Sequence, residues 1–102
     1  MLWAGDRHPL AVLAGLHSHY ERLLRLDGSG ITEESVAAET LGVSTYPAKK
    51  ALLAVRRMGS GKIIRSLRLV ADADLDLRGR AGWPPELVME VLVARLATLA
   101  RR

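Results

Sequence analysis

Apolar positions in this chain recur at three- and four-residue spacing, which is the period of a helix with one face buried. The first such run opens at Pro9, whose fixed φ and missing N–H suit a first helical position, and continues to about Leu26. Leu10, Leu13, Leu16, Tyr20, Leu23 and Leu24 form its stripe, with Glu21, Arg22 and Arg25 facing away. Asp27-Gly28-Ser29-Gly30 ends it. The next run, from Thr32 to Met58, reads as a short helix, a tight turn at Leu41-Gly42-Val43-Ser44 and a second helix. Thr32 is expected to cap the short helix, with Glu33 and Glu34 at the positive end of its dipole. Val36, Ala37, Thr40 and Leu41 are its expected inner face, and Gly42 is expected to close it in the left-handed conformation. Ser44 then caps the following helix, Pro47 is tolerable in its first turn, and Gly59 closes it. Ala51, Leu52, Val55 and Met58 are its expected buried edge.

Two further helices follow. Ser60 is expected to cap one that runs to about Arg78, with Ile63, Ile64, Leu67, Val70, Ala71, Asp74 and Leu77 on its inner side. Asp74 is the polar member of that seam and needs a partner, since burying an unpaired carboxylate is costly; Arg78, one turn on, can supply it. After Gly79-Arg80-Ala81-Gly82-Trp83, in which Trp83 is placed to hold the connection against the core, Pro84-Pro85 start a final helix to about Leu99. Leu87, Val88, Val91, Leu92, Ala94, Leu96 and Leu99 cover more than half of its circumference. So wide an arc fits contact with another chain, and equally a helix central to its own bundle. The expected fold is therefore all-α, a compact bundle of about five helices with a helix-turn-helix-like corner. Residues 1–7 are a lead-in, and 8–102 form one helical domain.

Composition narrows the core and the partners. Of 102 residues, 49% are hydrophobic, but only 4% are aromatic and Phe is absent. The core must be built from Leu, Val, Ile and Ala, which suits close helix packing better than a sheet. The net charge of +4 leaves nucleic acid possible without demanding it. With no cysteine, disulfides and thiolate metal sites are excluded. No apolar run approaches the roughly 20 residues of a membrane span, and Met1-Leu2-Trp3 does not open a signal peptide. These features fit a cytoplasmic protein with no membrane partner.

Motifs of catalysis fail on inspection. Gly59-Ser60-Gly61-Lys62 has Arg56 and Ile63 where a phosphate loop needs Gly and Ser or Thr. Asp72, Asp74 and Asp76 imitate a calcium loop, but Leu77 and Trp83 stand where Gly and Glu belong. His8, His17 and His19 lack ligand spacing, and no Ser or Thr has an identifiable base beside it. No catalytic, cofactor-binding or metal residue is assigned, no cofactor or small-molecule substrate is expected, and no catalytic activity is expected of this chain. The Thr32–Met58 corner offers one binding reading: as a helix-turn-helix of a transcriptional regulator it would carry Thr45, Lys49 and Lys50 to a DNA major groove. Tyr46 and Pro47 occupy the helix start that usually meets bases, and they weaken that reading.

From His8 to about Leu99 the chain resembles the C-terminal domain of the bacterial DNA polymerase III delta subunit, a member of the clamp-loader family. Four segments carry the resemblance in order: HPLAVLAGLHSHYERLLRL, ETLGVSTYPAKKALLAVRRM, RLVADADLDLRG and PPELVMEVLVARL. The resemblance implies a helical collar domain that packs with the C-terminal domains of other clamp-loader subunits, supporting loading of the sliding clamp in DNA replication. It implies assembly and not ATP hydrolysis, within a parent complex that is a DNA polymerase holoenzyme, and it leaves DNA contact inside the assembly open. It also implies a C-terminal fragment of a longer subunit, a reading that an upstream extension of roughly 200 residues, by ordinary domain sizes, would support. The candidate subunit interface is Val88, Val91, Leu92, Arg95 and Leu99.

Overall fold

A computed structural model describes residues 8–101; the lead-in 1–7 and Arg102 lie outside the described residues. The described residues fold as four α-helices: α1 Pro9–Leu26, α2 Glu34–Leu41, α3 Thr45–Leu77 and α4 Pro85–Arg101. The expectation of about five helices is thus corrected to four. The third and fourth expected helices follow one another directly as the two arms of α3, parted at Gly59, whose backbone is not helical (φ 77°, ψ 164°). That conformation belongs to a region of backbone space open essentially to glycine alone. One residue therefore turns the chain, and no loop intervenes.

The ends of the helices follow local chemistry. His8 precedes Pro9 and its Nδ1 accepts the Leu10 N–H at 3.1 Å, an N-cap the sequence pattern does not reveal. Gly42 ends α2 in the left-handed conformation (φ 71°), as the Leu41-Gly42 pair predicts. Ser44 is the N-cap residue of α3, although its side chain makes no capping hydrogen bond. Thr32 does not cap α2. The helix starts later, with extended Glu33 at its N-cap and the Ala37 N–H bonded to the Glu33 carbonyl at 3.0 Å. Ser60 caps nothing either; its hydroxyl donates to the Asp27 carboxylate and ties the α1–α2 loop to the bend.

Three apolar clusters share the work of the core. Leu13, Val70, Ala73, Val88, Met89 and Leu92 join α1, the later part of α3 and α4. Leu26, Ala37, Ala38, Leu41, Ala48 and Leu52 join the end of α1 to α2 and the start of α3. Leu23, Ala54 and Ile63 bridge the two at the bend. Burying one Leu or Ile side chain is worth about 1.5–3 kcal/mol, and Leu23 and Ile63 are wholly enclosed. Alanines fill many of the remaining buried positions, so the helices approach closely without aromatic filler.

Two inner faces differ from expectation. In α2 the buried residues are Ala37, Ala38 and Leu41, while Val36 and Thr40 are exposed and the Thr40 hydroxyl donates to the Val36 carbonyl at 2.9 Å. In the second arm of α3 (60–77) the buried line is Ile63, Ser66, Val70 and Ala73. Ile64 is 41% exposed, and Ala71 also faces out. The inner face is rotated by about one residue, and it accommodates a polar Ser66 because that hydroxyl donates to the Lys62 carbonyl at 2.8 Å. Trp83 is 40% exposed, so it only partly covers the core.

Candidate functional site

With its inner face set by Ile63 and Val70, the second arm of α3 is left with a second apolar line. Ile64, Ala71 and Leu75 are exposed at seven- and four-residue spacing, on one side of the helix over about 16 Å. Leu75 is 47% exposed. Ala71 and Leu75 of this line border a cleft of about 640 Å³ against α1, with Leu10, Ala14 and His17 on its far side. On the other flank of the arm, between α3 and α4, lies an open groove of about 520 Å³. Leu69, Val91 and Leu99 line it, together with Arg65, Arg68 and Arg95.

The expected interface residues divide between this groove and the core. Val91, Arg95 and Leu99 line the groove. Val88 and Leu92 belong to the chain's own core, at 2% and 3% exposure, and cannot meet a partner without unfolding. The wide apolar arc of α4 thus serves both purposes: one part packs on α1 and α3, and the rest borders the groove. Periodicity alone does not separate Ile64 and Ala71 from the inner face, because two adjacent isoleucines, Ile63 and Ile64, fit either rotation, and it leaves Leu75 unassigned.

A second concavity of about 400 Å³ lies where α1, the first arm of α3 (45–58) and the end of α4 meet. Leu23, Leu41, Ala51 and Met58 floor it, and His19, Arg22, Lys50 and Arg57 rim it. The expected DNA-contact residues are close by. Thr45, Lys49 and Lys50 are all exposed on the first turns of α3, and Lys50 Nζ lies 5.4 Å from the Tyr46 ring centroid. Tyr46 and Pro47 are exposed on the same turns.

His19 stacks edge-on against Tyr20, with ring centroids 5.0 Å apart. Partial loss of water around its ring, helped by the Arg22 charge, holds its pKa below the usual 6.5. The folded chain therefore binds this proton more weakly than the unfolded chain. Its contribution to stability is complete above pH 6.5 and is lost as the pH falls from there through the lower folded value. Urea unfolding followed from pH 7.5 to about 5 should show that decline, and His19→Gln should flatten it.

The acidic run near the end of α3 is engaged internally. Arg78 Nε donates to Asp74 Oδ2 at 3.0 Å, the partner the sequence suggests. Arg80 reaches Asp76 at 2.9 Å and Asp72 at 3.6 Å. Each carboxylate is paired with a guanidinium, and no group of three metal-ligating side chains occurs among the described residues. No helix among them is long and apolar enough to cross a membrane. No protein-family model matches the chain, and no curated protein or solved structure matches it significantly.

Proposed function

We propose that this chain is a subunit-assembly domain of the DNA polymerase III delta type, holding a clamp loader together while it loads the sliding clamp. The observation that carries the reading is the apolar line Ile64–Ala71–Leu75, which the described residues leave exposed. An exposed apolar band beside a groove is the ordinary mark of a protein contact. The four sequence segments of the resemblance support it. The first follows α1, the second joins α2 to the start of α3, the third closes α3, and the fourth begins α4. Ring assemblies use unlike faces on each subunit, and α3 offers one such face. The partners are the C-terminal domains of the other loader subunits, in the cytoplasm.

Mixing the chain with those domains from the same organism and following elution by size-exclusion chromatography tests the reading. Co-elution is expected, and Ile64→Glu plus Leu75→Glu should abolish it while the helical circular dichroism persists. A folded wild-type chain that elutes alone in every mixture would refute the proposal.

A helix-turn-helix reading retains one favourable observation, the exposure of Thr45, Lys49 and Lys50 together. The same preparations separate the two. A DNA reader binds duplex with steep inverse salt dependence and sequence preference, and Lys49→Ala plus Lys50→Ala weakens it. Unchanged affinity in that double variant removes this alternative.

A further inference from the structure

The groove between α4 and the second arm of α3 carries charge of one sign. Arg65 and Arg68 stand on α3 and Arg95 faces them from α4, around a floor that includes Leu69, Val91 and Leu99. Among the described residues no carboxylate lines the groove. At the end of the same helix Arg78 and Arg80 are each matched to aspartates. The three groove arginines have no such match among the described residues, and Arg65 Nε only donates to the Gly61 carbonyl at 3.2 Å. Three guanidinium groups without a carboxylate partner among the described residues stand around an apolar trough, and a ligand that brings both carboxylates and apolar side chains matches the charge and fills the trough.

The geometry points to an acidic amphipathic helix of another protein as the occupant of this groove. Its apolar side would lie along Leu69, Val91 and Leu99, and its carboxylates would meet Arg65, Arg68 and Arg95. The inference rests on the reading of the chain as an assembly domain and gives its partner a chemistry. Nucleic acid is the poorer occupant, because a phosphate backbone leaves the apolar floor unused. A second copy is poorer too. The exposed acidic helix of this chain, α2, spans only eight residues and offers Val36 as its one large exposed apolar side chain.

The probe is a 16-residue peptide with Leu at helical three- and four-residue spacing and Glu elsewhere, and its twin carries Lys in place of every Glu. Amide chemical shifts of the chain are followed during titration with each. The acidic peptide should bind at least tenfold more tightly, with shifts centred on residues 65–69 and 91–99. Arg68→Glu plus Arg95→Glu should reverse that preference while circular dichroism remains helical. Should that variant fail to fold, Arg68→Gln plus Arg95→Gln should abolish the preference instead. Equal affinity for the two peptides overturns the inference. So do shifts centred on the His19–Arg57 cleft, tighter binding of a duplex DNA at the groove, or sedimentation of the free chain as a dimer that charge reversal dissociates. A chain that prefers the acidic peptide yet never joins the loader domains retains this inference and loses the proposed function. Joining that ignores Arg68→Glu plus Arg95→Glu does the opposite.

Discussion

Ile63→Ala should lower the stability of the chain by about 2–5 kcal/mol, whereas Ile64→Ala, one residue on, should cost less than about 1 kcal/mol. Ile63 is wholly buried between Leu23 and Ala54, where the two larger clusters meet, and its loss leaves a cavity that neither helix arm can close without moving α1. The neighbouring Ile64 is 41% exposed and supports no internal packing of comparable extent. Thermal or denaturant unfolding of both variants reads the difference directly. In a domain of this size each kcal/mol displaces the melting midpoint by about 4–8 °C. Similar losses for the two variants would mean that the helix is rotated from the orientation described.

Gly59→Ala should cost about 1–3 kcal/mol, and Gly61→Ala, two residues later, should be neutral or stabilising by up to about 1 kcal/mol. Nothing crowds the Cα of Gly59, so the penalty comes from backbone conformation alone: φ 77° and ψ 164° suit no side-chain-bearing residue. Gly61 lies within the helix, and an added Cβ meets only the flexible end of Arg65 at 3.4 Å. In Gly61→Ala the new methyl reduces the freedom of the unfolded chain without strain. Equal effects at both positions, measured by denaturant unfolding, would contradict the bend.

Pro9, Gly42 and the Pro84-Pro85 pair disclosed their helix boundaries in sequence because each acts through its own backbone. The Asp74–Arg78 pair was legible because its partners are one turn apart. Two features were not. A glycine followed at once by the next helix and a glycine followed by a loop leave the same trace in a string of letters, so the sequence does not show that the two arms of α3 join directly at Gly59. The rotation of the second arm was hidden because its apolar residues occupy two faces, and the choice between them is made by Ser66 and Ala73, small residues whose merit is that another helix can come close. The same ambiguity affected the interface. Val88, Leu92 and Leu99 share a stripe with Val91, and only the position of the neighbouring helices separates the three that are buried from Val91, which is half-buried.

The span of α1 across both halves has a consequence for how the molecule opens. The corner made by α2 and the first arm of α3 closes mostly short loops of chain, so it can form and dissolve as a small cooperative unit. Its third wall is the end of α1 around Leu26, while Leu13 of the same helix is committed to the other half. Release of the corner leaves α1 docked by its first turns and frayed at its last. Amide exchange would accordingly be graded along a single helix, slow near Leu13 and faster toward Leu26, with the bend at Gly59 as the boundary between the two exchange regimes.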